Sequence, residues 1–70
     1  MKLSARNQLR GVVTQINEGA AIGNVEIDVA GQRLVASITV DAIHELGLAE
    51  GSSVTAIIKA SDVMLAVDVE

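Results

Sequence analysis

Asn24-Val25-Glu26-Ile27-Asp28-Val29-Ala30-Gly31-Gln32-Arg33-Leu34-Val35-Ala36-Ser37-Ile38-Thr39-Val40 alternates apolar and polar residues on both sides of a glycine. Side chains of an extended chain point to opposite faces in turn, so Val25, Ile27 and Val29 share one face and Glu26 and Asp28 the other. Ala30-Gly31-Gln32 carries the signal of a tight turn. Beyond it, Leu34, Ala36 and Ile38 resume the pattern. The stretch therefore predicts an antiparallel hairpin of two strands, Asn24 to Ala30 and Arg33 to Val40.

Toward the N-terminus, Gln8 to Asn17 is rich in β-branched residues and reads as another strand, with Gly11 permitting a bulge or a close backbone approach. Glu18 to Asn24 is a loop bounded by Gly19 and Gly23. Toward the C-terminus the period changes at Asp41. Ile43 and Leu46 lie three apart, Asp41 stands at an N-cap position and Gly47 at a C-cap position, which predicts one or two helical turns. Gly51 is the expected positive-φ residue of the next turn. Val54 to Lys59 and Val63 to Val69 are read as a fourth and a fifth strand. The fold expected is all-β: a five-stranded OB-like Greek-key barrel with one short helix between strands 3 and 4, in a single domain over residues 1–70. The doubly apolar pairs Val12-Val13 and Ile57-Ile58 imply burial on two faces. One barrel interior uses only one of them, so a second subunit is expected on the other.

The 70 residues include no Cys, Phe, Tyr, Trp or Pro, and carry a net charge of −4. A core built only of aliphatic residues in so short a chain is small, which favours oligomerisation over a plain monomer. No run approaches the roughly 18 apolar residues of a membrane span, and the first residues lack the apolar core of a signal peptide. With no cysteine there are no disulfides, which fits a cytoplasmic protein. Net negative charge opposes nucleic acid, anionic membranes and free anions alike, so any anion site must be local, made from a few cations and oriented backbone N–H groups. Single-strand recognition on a barrel of this kind also needs aromatic stacking platforms, and there are none.

Catalytic chemistry has little to stand on. His44 is the only histidine and reads as a solvated helix residue. Glu26 and Asp28, at i and i+2, read as a solvated strand face rather than an acid–base pair or a site for a bare metal cation. Lys59-Ala60-Ser61-Asp62 is different, because it interrupts two aliphatic runs without any turn residue. Lys59 offers a charge-assisted donor, Ser61 a hydroxyl, and the backbone N–H groups of Ala60 and Ser61 complete a small donor set. Ser4-Ala5-Arg6-Asn7 holds a hydroxyl, a guanidinium and an amide before the first strand. Converged, the two segments suit a tetrahedral dianion. Read from spacing alone, an ordinary solvated strand end is the favoured reading of each.

Ser4-Ala5-Arg6-Asn7-Gln8-Leu9-Arg10-Gly11, Leu46-Gly47-Leu48-Ala49-Glu50-Gly51 and Val54 to Val63 occur in this order over almost the whole chain. In these motifs the sequence resembles the molbindins, the stand-alone molybdate-binding Mop domains related to accessory domains of transporter ATPases. The resemblance implies a cytoplasmic protein that binds molybdate or tungstate for storage and homeostasis, without catalysis or a redox cofactor. It implies a homohexamer, a trimer of dimers, with the anion at subunit interfaces. The ligands it implies are Ser4, Arg6, Asn7, Lys59, Ala60 and Ser61, with the two halves of the site expected from two subunits. It also implies a second class of oxyanion site near a three-fold axis, assigned to the loop Gly19, Ala20, Ala21 and Ile22. The alternative is a molybdate-sensing interaction module that docks to a transporter or regulator.

Overall fold

A computed structural model describes residues 4–68. Strands β1 (Asn7–Glu18), β2 (Ile22–Val29) and β3 (Gln32–Thr39) are followed by helix α1 (Val40–Glu45), strand β4 (Ser53–Ile58) and a 3-10 turn, Ala60–Asp62. The strands form one antiparallel sheet in the order β3-β2-β1-β4.

The hairpin predicted from alternation is present. Val29 pairs with Gln32 across a two-residue turn in which Ala30 and Gly31 have φ of 50° and 85°, the left-handed pair whose twist suits a hairpin. Val25 lies opposite Ala36 and Ile27 opposite Leu34. This register keeps both apolar sets on one face, where Val25 and Ile27 are buried together with Val13 and Ile43. Ile16, Val29, Leu34, Ile38, Leu48 and Val54 pack around those four. On the opposite face Arg33 Nε meets Glu26 Oε1 at 2.5 Å, a diagonal cross-strand pair. The hydrogen bond to Glu26 and its negative charge raise the Arg33 pKa further above its ordinary value.

Of the two roles open to Gly11, close approach is the one observed. A Cβ there would meet the Asp28 carbonyl oxygen and Ile27 Cγ2, each at 2.5 Å. The irregularity of β1 lies between Val13 and Gln15 instead.

Helix α1 starts two residues earlier than its cap signal implies. Its N-cap is Thr39, not Asp41: extended Thr39 accepts the Ala42 N–H on its hydroxyl at 3.1 Å. Asp41 falls in the first turn, where its charge complements the helix dipole. The C-terminal reading holds. Gly47 has φ 62°, its N–H donates to His44 O at 3.0 Å, and the Leu48 N–H donates to Ile43 O at 3.1 Å. These two bonds form a Schellman cap, which needs a left-handed residue at Gly47. Gly51 also has positive φ, as expected.

The fifth strand is not formed, and the barrel is not closed. Residues 63–68 are irregular and exposed, while Val69 lies outside the described residues. Val63 to Val67 has the composition of a strand, but a strand exists only where a neighbouring edge supplies its ladder. The chain leaves β4 through the 3-10 turn and does not return to an edge. An open cleft of about 640 Å³ remains between β3 and β4, lined by apolar residues including Leu34, Val35, Ile38, Leu46, Ile57 and Ile58.

Candidate oxyanion-binding site

Antiparallel pairing of β1 with β4 brings the two polar segments together. Asn7 lies opposite Ile58, and its side-chain Nδ2 donates to the Ile58 carbonyl at 3.2 Å. Ser4, Ala5 and Arg6 lead into β1 where Lys59, Ala60 and Ser61 leave β4. The chain therefore carries both segments at one end of its own sheet, although each half had been expected from a different subunit. Asn7 is half-buried, and Ser4, Arg6, Lys59, Ala60 and Ser61 are exposed.

The missing turn residue at Lys59 to Asp62 now has a cause. A 3-10 turn needs no left-handed residue, and this one closes with Asp62 N–H to Lys59 O at 2.9 Å and Val63 N–H to Ala60 O at 3.3 Å. The turn's own bonds begin with the Asp62 N–H, and among the described residues the Ala60 and Ser61 N–H groups have no backbone partner. With the Lys59 ammonium and the Arg6 guanidinium, these form a donor-rich end of the sheet. Asp62 is the one acceptor-only group in the immediate turn.

The loop Gly19 to Ile22 lies at the opposite end of β1. The twelve residues of β1 run from one region to the other, a chain length of roughly 40 Å at about 3.3 Å per residue. They are two places, not one. The Gly19 N–H donates to Ile22 O at 2.9 Å and Ala21 O accepts the Val40 N–H at 2.8 Å, so part of the loop's backbone is engaged internally. Ile22 already belongs to β2, opposite Thr39. Beside this loop, His44 Nε2 is 2.6 Å from Glu18 Oε1. Sequence spacing carried no sign of that contact, which joins α1 to the end of β1. Among the described residues no group of three or more His, Cys, Asp or Glu side chains is placed to hold a metal ion. Among the described residues no helix is long and apolar enough to cross a membrane.

The sequence profile of the TOBE domain matches residues 3–65. The chain belongs to the TOBE-domain family. This TOBE domain is 42% identical over 66 residues to molybdenum-pterin-binding protein 1 of Clostridium pasteurianum, covering 93% of this chain and 97% of that protein. Its fold matches a molybdate-binding protein from Sporomusa ovata with a TM-score of 0.91 and 38% identity, over 94% of this chain and 98% of the other. It also matches the cytoplasmic molybdate-binding protein ModG with molybdate bound, with a TM-score of 0.92 and 42% identity. There it covers 97% of this chain but 49% of ModG. These relatives are binding proteins rather than enzymes.

Proposed function

We propose that this TOBE domain binds molybdate or tungstate reversibly and non-covalently, through Ser4, Arg6, Asn7, Lys59, Ala60 and Ser61. The whole of residues 1–70 acts as one binding unit. It works as a homo-oligomer, a hexamer built as a trimer of dimers, that stores the oxyanion in the cytoplasm without catalysis or a redox cofactor. The loop Gly19, Ala20, Ala21 and Ile22 is proposed as a second, distinct oxyanion site.

One observation supports the reading most: the Asn7–Ile58 pairing, which gathers two cations, two hydroxyls, an amide and two backbone N–H groups at one sheet end. A tetrahedral dianion accepts many hydrogen bonds and donates none, so it suits a site rich in donors. The net charge of −4 opposes an anion in bulk, but a local donor cluster feels it weakly, because distant carboxylates are screened beyond about 8 Å at physiological salt. The two molybdate-binding structural relatives support this ligand class. Hydrogen bonding leaves the anion's own bonds unchanged, which is binding chemistry and not turnover. Sulfate has the same charge and shape, so discrimination against it rests on the size of the cavity.

Calorimetric titration with molybdate, tungstate and sulfate tests the proposal. Saturable heat is expected with the first two and much weaker binding with sulfate. Absence of heat with molybdate and tungstate would reject it.

A further inference from the structure

Cations are scarce in a chain with a net charge of −4, and their placement is uneven. Of the four Lys and Arg residues among the described ones, Arg33 is taken up by Glu26. The other three, Arg6, Arg10 and Lys59, are exposed and in no ion pair among the described residues. Pairing of β1 with β4 sets Gln8 opposite Ile57, Arg10 opposite Thr55 and Val12 opposite Ser53. By alternation these six side chains share the face turned away from buried Val13, and all six residues are exposed. Arg6 and Lys59 continue that alternation one position beyond the Asn7–Ile58 pair. An open concavity of about 610 Å³ borders Arg10 and is lined also by Val12, Ala30, Ser53 and Thr55, with Arg10 the one charged residue among them.

We propose that Arg10 is a guiding residue, which draws a molybdate dianion along this face to the Arg6–Lys59 end without touching it once bound. The inference rests on the candidate anion site proposed above and adds how the anion reaches it. Four extended residues set Arg10 about 13 Å from Arg6, a separation spanned by its field rather than by a hydrogen bond. Between them the face offers Gln8 and Ile57, neither of them charged. The first carboxylate across the face, Asp28 opposite Val12, stands on the far side of Arg10 from the site. Asp62 belongs to the turn itself. An anion arriving over β1 and β4 therefore meets attraction with no repulsive group on the way, and a concave wall of low polarity beside a cation concentrates its field. In water, a unit cation about 13 Å from a dianion raises its local concentration about twofold at about 10 mM ionic strength, where screening sets in near 30 Å. At about 150 mM, with screening near 8 Å, the factor falls to about 1.2. A charge outside the contact set acts on arrival and hardly on departure.

The test uses the full-length chain and molybdate itself. With no Trp or Tyr to report binding, affinity is read by calorimetry and dissociation by release of radiolabelled molybdate into an unlabelled excess. Arg10→Gln, Arg10→Glu and Arg10→Lys are compared with the unaltered chain at about 10 mM, 150 mM and 1 M salt. At the lowest salt, affinity is expected to be about twofold weaker in Arg10→Gln, about fourfold weaker in Arg10→Glu and unchanged in Arg10→Lys. Dissociation rates are expected to be the same in all four proteins, which assigns the loss to association. At 1 M salt, where screening acts within about 3 Å, the affinities are expected to converge. Equal affinities at the lowest salt overturn guidance and leave the site standing. A faster release in Arg10→Gln, or a loss that persists in Arg10→Lys or at 1 M salt, also overturns it, because Arg10 is then a contact or a structural residue. A chain that binds no molybdate at all overturns the site reading and this inference together.

Discussion

Lys59 and Ser61 contribute to the candidate site in different ways, and substitution separates them. Lys59→Ala removes a charge-assisted donor, worth about 1.5–3 kcal/mol, and is expected to weaken molybdate binding by roughly tenfold or more. Ser61→Ala keeps the backbone N–H and loses only the hydroxyl, so a smaller loss is expected. Both side chains are exposed, so urea denaturation without ligand should be unchanged while calorimetric affinity falls. If affinity is unchanged in both variants, the donor set is misassigned. Gly11 poses a question of packing alone. An added Cβ would press on the Asp28 carbonyl, a backbone atom that cannot swing aside. Gly11→Ala should therefore lower stability by about 1–3 kcal/mol, measured by urea midpoint. At this scale the sequence was informative wherever a residue's own geometry decided its role, as at Gly31 and Gly47. It could not choose between bulge and close approach at Gly11, because that choice depends on a strand seventeen positions away.

Helix α1 shows how a cap can be misplaced by one favourable residue. Asp41 is a good N-cap by type, yet Val40 enters the helix and the hydroxyl of Thr39 takes the Ala42 N–H. Thr39→Ala should cost about 0.5–2 kcal/mol by loss of that bond, read as a lower urea midpoint. Asp41→Ala, affecting only the dipole, should cost less. The four paired strands were legible because each carries its own alternation or β-branched run. The segment after Asp62 looked like a strand by the same test, and composition cannot report the missing neighbour. The candidate site was legible as two polar segments. Their meeting was not, because the β1–β4 pairing is a long-range return that no local period encodes.

For the molecule as a whole, only four hydrophobic side chains are buried among the described residues, which is a slight core for a free-standing domain. Ligand and partner should therefore be strongly felt in its stability. A ligand at a hundred times its dissociation constant adds about 2.7 kcal/mol to the state that binds it. In a domain of this size, each kcal/mol moves the midpoint by about 4–8 °C. Saturating molybdate is thus expected to raise the melting temperature by on the order of 10–20 °C, with little change in sulfate, as followed by differential scanning fluorimetry. The particular anion came from motif resemblance and the relatives, since donor count alone does not distinguish one tetrahedral dianion from another. Asn7 and Ile58, finally, are 51 positions apart. Hairpins between neighbouring strands close early, whereas a ladder joining the first strand to the last carries the largest loop-closure cost and forms late. During synthesis from the N-terminus, β1 waits beside β2 with its second edge open until β4 has left the ribosome. The donors of the candidate site gathered by that last ladder meet only then, so the nascent chain does not assemble the proposed site while it is incomplete.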